Sequence, residues 1–316
     1  MNTNPTVAVL GLGTMGLPMA ARLAETFPIR GYDIVAERRD LAAADGVQPV
    51  TTAEGAVTGA DLVFLVVRDA LQLEQVLFGS ELVDAPTDLS APIEGILAAL
   101  APGAVVVLCA TVGVAPVRDV AARLAAHQIG LVDAPLSGGP VRARSGDLLI
   151  VVGAAPAVLA KAAPALDLLA STLSIVGERA GDGQALKTVN QLLCGIHIAA
   201  AAEALSLASA MGLDPERTLE ALQQGAAASF MLGNRGPRML QVLNQEQPEV
   251  LSRLDIFVKD MGIVEDAARQ LGVATPLAAT AEQQYLMGRS SGLGADDDSA
   301  LIRLIAPVIG PGGTAS

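Results

Sequence analysis

Lys187, Asn190 and Gln191 stand at i, i+3 and i+4. On a helix they share one face and present a cation and two amides to whatever lies opposite. A lysine so held can exchange a proton with a substrate hydroxyl, and an amide can orient one. The competing reading is a snorkelling lysine near a helix start, with the amides satisfied in the core.

The element that must hold these residues runs from Gly181 to Met211, without proline and mostly of alanine and leucine. It predicts a single helix of roughly 40 Å at 1.5 Å rise per residue. Such an apolar helix is expected to be buried all round, its later turns forming a packing spine. Further along it, His197 reads as a satisfied helix histidine and Glu203 as a partner for a neighbouring helix.

A second constellation opens the chain. The apolar strand Thr6 to Leu10 runs into Gly11-Leu12-Gly13-Thr14-Met15-Gly16 and then an amphipathic stretch, so G-x-G-x-x-G stands at a strand-to-helix turn. That context fits a dinucleotide fingerprint: Gly11 for the tight turn, Gly13 for close approach of a pyrophosphate, Gly16 for helix–strand packing. Asp33 follows 22 residues after Gly11. An acidic side chain there accepts hydrogen bonds from the adenosine ribose and repels a 2′-phosphate, which favours NAD over NADP. Arg38 and Arg39 could hold such a phosphate, but read as solvated helix residues.

VQPV, DLVFLVV and GAVVVLCA read as strands, the last two as continuous apolar runs that suit parallel strands covered on both faces. APIEGILAALA and APVRDVAARLAAH read as crossover helices. A doubly wound, mostly parallel sheet follows, with ligands beyond the C-terminal strand ends. Val67, Arg68, Asp69 and Thr111 are candidates to face the cofactor there, Thr111 being equally readable as a cap. GLVDAPLSGGPVRARSGDLLIVVG predicts strand, glycine-rich loop and strand. Ser137, Gly138 and Gly139 expose backbone N–H groups able to bind a carboxylate, a plain tight turn being the alternative. Arg142 and Arg144 could aid an anion or be solvated. ASFMLGN, around Ser229 to Asn234, reads as a loop near the pocket, with Phe230 and Met231 equally good as core. LDIFVKDMGIVEDAARQLG is helical, interrupted by Lys259 and Asp260, and IGPGGTAS reads as a frayed tail.

The chain has 316 residues and 52% hydrophobic content, enough for two domains, expected at 1–177 and 178–316. A net charge of −13 without a basic stripe excludes nucleic acid as an expected partner, and an anionic substrate then needs a local cationic pocket. Cys109 and Cys194 sit in apolar segments without ligand spacing, so neither a disulfide framework nor a metal site is expected. Neither a secretory signal nor a transmembrane span is read, since Lys187, His197 and Glu203 interrupt the long helix, and the cytoplasm is the expected compartment.

Taken together, GLGTMGLPMA, DAPLSGG with Ala143 and Gly146-Asp147-Leu148, GQALKTVNQ and FVKD resemble the β-hydroxyacid dehydrogenase family from about Val7 to Leu304. KTVNQLLCGIHIAAAAEA and LDIFVKDMGIV are most similar to its L-threonate dehydrogenase branch. The resemblance implies a Rossmann domain and an all-α C-terminal domain joined by the long helix, with the active site in the cleft. It implies Lys187 as catalytic, Asn190 as substrate-orienting and Ser137, Gly138 and Gly139 as the substrate-carboxylate loop. It also implies Thr111 and Lys259 as cofactor contacts, and a homodimer or homotetramer. Departures are Gln191 where many relatives carry a second Asn, Ala110 where Ser is frequent, and Pro140. They bear on substrate choice, and Gln191 joins the substrate-binding set.

Oxidation of a hydroxy acid needs a base, a carboxylate anchor and a hydride acceptor. Lys187 is the expected base, its neutral form favoured by burial and by the nicotinamide charge, with Asn190 holding the same oxygen. The expected activity is NAD-dependent oxidation of L-threonate or a similar sugar acid. The alternatives are 3-hydroxyisobutyrate dehydrogenase, tartronate semialdehyde reductase, or a dinucleotide sensor without turnover.

Overall fold

The computed structural model describes residues 4–79 and 94–306 and falls into two compact units, Met1–Lys187 and Thr188–Ser316. The first unit alternates strand and helix. Its elements begin β1 (Val7–Leu10), α1 (Gly16–Ala24), β2 (Ile29–Tyr32), α2 (Ala36–Ala44), β3 (Gln48–Pro49) and α3 (Ala53–Val57). They continue through β4 (Leu62–Leu65), α4 (Ala70–Phe78), β5 (Val105–Leu108), α5 (Val114–Ala126) and β6 (Gly130–Asp133). β1 to β6 are all parallel, in the order β3-β2-β1-β4-β5-β6.

The apolar runs have a direct cause. Along β1, Val7 and Val9 enter one hydrophobic cluster while Ala8 and Leu10 enter another; β4 and β5 divide their residues the same way. A strand buried on both faces has no polar alternation to show.

β6 is followed by β7 (Leu136–Ser137), α6 (Gly139–Ser145), β8 (Leu148–Gly153), α7 (Pro156–Leu169) and β9 (Ala170–Gly177). β6 and β7 pair antiparallel with β8 in one register, Asp133 opposite Gly153 and Ser137 opposite Leu149, and β9 adds to β8 in parallel. The glycine-rich loop therefore leads into a seven-residue helix, where only a loop was expected. Pro140 at its start suits a helix N-terminus, whose N–H groups lack intrahelical partners anyway. APIEGILAALA does not form a crossover helix within the described residues. Its described part, residues 94–101, contains only a 3-10 turn at Leu97–Ala99, residues 91–93 lying outside the described residues.

α8 (Asp182–Ala210) leads into the second unit, followed by α9 (Pro215–Gln224), α10 (Phe230–Leu243), α11 (Leu254–Leu271) and α12 (Pro276–Ser290). Ile198, Ala202 and Leu205 of α8 pack with Met239, Phe257, Met261 and Tyr285 in one core. Small residues permit this closeness. A Cβ on Gly195 would lie 2.2 Å from Met261 Sδ, and Tyr285 Oη donates to the Gly195 carbonyl at 2.9 Å. Glu203 accepts from Gln284 of α12 at 2.7 Å, as expected of it, and His197 is half-buried.

Two expectations fail here. α8 is not buried all round: Val189, Leu193 and Leu207 are 57%, 49% and 62% exposed. By length and composition the helix also qualifies as a candidate membrane span, with 44% of its most apolar window buried. Nor is ASFMLGN a loop. Ser229 Oγ accepts from Leu232 N at 3.0 Å and caps α10, and Phe230 points outward at 69% exposure. The expected C-terminal tail lies outside the described residues.

Two buried carboxylates close the second unit. Asp297 binds Arg238, Ser299 and the backbone N–H of Leu251, while Asp298 takes a two-pronged contact from Arg235. Burial pushes the Asp297 carboxyl up, but Ser299 and Arg238 outweigh it and hold it below the usual aspartate range.

Candidate active site

In the first unit the turn after β1 explains its glycines sterically. Gly11 has φ +93°, and a Cβ there would lie 2.3 Å from the Val66 carbonyl oxygen; one on Gly16 would lie 1.8 Å from the Gly11 oxygen. Gly13 differs. Its nearest would-be neighbour is the Arg38 guanidinium at 3.8 Å, so its surface is open. Thr14 is exposed and Met15 half-buried beside it.

Asp33 is buried and its orientation is fixed. Oδ2 accepts from Leu12 N at 2.8 Å and Oδ1 from Val35 N at 2.9 Å. Arg38 and Arg39 are not merely solvated. Arg38 lies 3.4 Å from both Asp33 oxygens, while Arg39 donates to the Asp33 carbonyl and lies over the Tyr32 ring at 5.9 Å. Both are anchored to the residue expected to read the ribose.

Val67 is half-buried just past the end of β4, where Asp69 caps α4 by accepting from Gln72 N at 2.9 Å. Arg68 is exposed and pairs with Asp69. Thr111 is half-buried in the loop after β5. The residues around it are held by one side chain that sequence reasoning passed over. Gln184 Oε1 accepts from Val112 N and Gly113 N at 2.9 and 3.1 Å, and Gln184 Nε2 donates to the Ala110 carbonyl and to Asp133 Oδ1 at 3.0 and 2.8 Å.

Asp133 in turn accepts from the N–H groups of Gly181 and Gln184, each at 2.9 Å, and so ties the end of β6 to the start of α8. Burial raises its carboxyl above the usual range against these hydrogen bonds. Burial also pushes the nearby Cys109 thiol up to about 12, leaving it protonated and unreactive at neutral pH. A carboxylate ending an apolar strand was the available signal for this knot, together with an amide one turn before Lys187.

Lys187 is buried, and its Nζ donates to Ser137 Oγ at 2.9 Å. The sheet register makes this meeting firm, since Ser137 is the last residue of β7. Gly138 and Gly139 follow with φ +146° and +79°, conformations that L side chains rarely adopt. Arg142 and Arg144 are engaged elsewhere, with Asp147 and Asp45, each at 2.8 Å.

In the second unit Asn190 Nδ2 donates to Gln191 Oε1 at 2.9 Å, and Gln191 Nε2 to Asp260 Oδ2 at 2.5 Å. Lys259 Nζ lies 2.8 Å from Asp260 Oδ1 as an ion pair. Asp260 is 3% exposed and is the second positioning group that sequence reasoning left without a role.

Two family models divide the chain between them. Residues 6–177 match the NAD binding domain of 6-phosphogluconate dehydrogenase, and residues 181–305 match the NAD-binding segment of NADP-dependent 3-hydroxyisobutyrate dehydrogenase. L-threonate dehydrogenase of Cupriavidus necator is 34% identical over 97% of this chain and 98% of its own length. The chain belongs to the β-hydroxyacid dehydrogenase family.

The L-threonate dehydrogenase of Escherichia coli K12 is 31% identical over 97% of this chain and 96% of its own. Among solved structures, a 3-hydroxyisobutyrate dehydrogenase from Salmonella typhimurium superposes with a TM-score of 0.84 at 31% identity, covering 95% of this chain and all of that one. The family's architecture, a Rossmann domain followed by a helical domain, is the one built above, and the chain is an oxidoreductase of the hydroxyacid dehydrogenase class.

The first unit also fits the dinucleotide its family binds. Gly11 and Gly16 have no room for a side chain, while Gly13 leaves its outer surface bare where a pyrophosphate would approach. Gly11 to Gly16, Asp33, Val67 and Thr111 are the residues available to hold it.

Proposed function

We propose that this enzyme oxidises a small sugar acid of the L-threonate type with NAD, Lys187 serving as general base. The observation that carries this reading is the buried Lys187, with its Nζ 2.9 Å from Ser137 Oγ at the mouth of a glycine-rich loop. The name shared by relatives at 34% identity supports the substrate class. The Asp33 carboxylate supports NAD, because a 2′-phosphate would meet its negative charge.

When bound, the dinucleotide supplies the hydride acceptor. This chain's residues do the rest. The backbone N–H groups of Ser137, Gly138 and Gly139 anchor the substrate carboxylate, and Ser137 Oγ, accepting from Nζ, keeps the neutral Lys187 amine in place with its lone pair free for the substrate. Lys187 Nζ takes the hydroxyl proton in oxidation and returns it in reduction. Asn190, one turn further along α8, orients the substrate, and Lys259 contacts the cofactor.

The test is NADH formation with NAD or NADP and a panel of hydroxy acids, L-threonate and 3-hydroxyisobutyrate among them. Wild type is expected to turn over L-threonate with NAD. Lys187→Ala is expected to lose roughly 100- to 10,000-fold in kcat while still binding NADH by fluorescence. Near-wild-type turnover in that variant would remove Lys187 from the chemistry. Dinucleotide binding by wild type without turnover of any acid would make the protein a sensor.

A further inference from the structure

The hydrogen bonds around Asn190 have a direction, and Asp260 sets it. A carboxylate accepts and does not donate, so Gln191 must turn its NH2 end toward Asp260 and its Oε1 away. That Oε1 accepts from Asn190 Nδ2, which also reaches Cys194 Sγ at 3.4 Å. Both N–H bonds of Asn190 are therefore turned along α8. Its Oδ1, which accepts from no group among the described residues, is the end left to offer.

A hydroxyl has a single proton. In oxidation that proton must point at Lys187, so the reacting hydroxyl has none to give to Asn190 Oδ1, and Asn190 has no spare N–H for the reacting oxygen. We infer that Asn190, oriented by Asp260 through Gln191, accepts a hydrogen bond from a second, unreacting hydroxyl of the substrate, so that the enzyme selects acids carrying a hydroxyl besides the one oxidised. This rests on the hydroxy-acid reading above and departs from the expectation that Asn190 holds the reacting oxygen. Asp260 and Gln191 are positioning residues in this account, and Asn190 is the one that touches substrate.

The experiment compares kcat/KM for L-threonate, which has several hydroxyls, with that for 3-hydroxyisobutyrate, which has one. Wild type, Asp260→Asn, Gln191→Glu and the double variant are measured. In wild type the ratio is expected to favour L-threonate by more than about tenfold. Asp260→Asn frees the chain to reverse, and Gln191→Glu sets two carboxylates against each other, so each is expected to lower the ratio about tenfold. In the double variant the amide now at position 260 can donate to the carboxylate now at position 191, which again accepts from Asn190 Nδ2. Its ratio is expected to return to within about threefold of wild type.

A wild-type preference for 3-hydroxyisobutyrate, single variants whose two rates fall equally, or a double variant no better than the product of the singles would each overturn the inference. If wild type binds NADH yet turns over neither acid, the functional reading fails instead. The side-chain amide 15N–1H spectrum then decides the chain. Gln191 and Asn190 signals that move in Asp260→Asn support the set direction, and unmoved signals overturn it.

Discussion

Two buried aspartate–glutamine pairs flank Lys187 along α8, and they end differently. Gln184 spends every polar atom on fixed partners: two backbone N–H groups, one carbonyl and Asp133. Gln191, seven residues on, has one end on Asp260 and hands the other to Asn190, a side chain that still has an oxygen to offer. The first pair closes on the backbone and can only hold shape. The second closes on a side chain and can pass an orientation forward. Identical residue types in similar burial thus serve folding in one unit and selectivity in the other.

Substitutions can break this contrast. The largest effect on stability is expected from Gln184→Ala, which strands the N–H groups of Val112 and Gly113 and one oxygen of Asp133. At about 1–3 kcal/mol for each of these three buried groups left unpaired, the loss should be roughly 3–9 kcal/mol, measured by urea denaturation of the purified chain. Gln191→Ala should cost only about 1–2 kcal/mol and act mainly on the ratio of rates for the two acids. Equal stability losses would erase the distinction.

Asp133→Asn sharpens the comparison with a smaller effect than Gln184→Ala. It puts an NH2 group against at least one of three donors, for a loss of about 1–3 kcal/mol at pH 7. The pH dependence has a definite sign. Burial raises the Asp133 carboxyl above its ordinary 3.8, so this group's contribution is fully present below 3.8 and is lost as pH rises through the higher folded value. Going from pH 7 to 4.5, the stability gap between wild type and Asp133→Asn should move in wild type's favour. A gap that moves the other way would mean that the hydrogen bonds outweigh burial.

How much of this was legible in the sequence follows the range of the forces involved. Glycine spacing, apolar strands and helix-face triads are local, so the Gly11 to Gly16 turn, the parallel sheet and the Lys187–Asn190–Gln191 face could be read directly. The partners that aim those residues come from distant segments. Asp133 lies 51 residues before Gln184, and Asp260 lies 69 after Gln191. No periodicity joins them. ASFMLGN misled for a nearer reason: glycine and asparagine suggested a loop, but the Ser229 cap and the packing of Leu232 carry them into α10. Phe230 was equally readable as pocket lining or core, and it is exposed because it occupies the outward position of the first turn. Arg38 and Arg39 looked solvated because their common anchor, Asp33, was counted only as a ribose ligand.

The glycine turn has a practical corollary. Of its three glycines, Gly13 alone could gain a methyl group without meeting protein atoms closer than 3.8 Å. Gly13→Ala should therefore fold like wild type, with an unchanged urea midpoint, yet show weakened NADH fluorescence titration, because the added carbon occupies the pyrophosphate's approach. Such a variant would be a matched blank: a calorimetric reference from which the heat of cofactor loading can be subtracted without a denatured or truncated control.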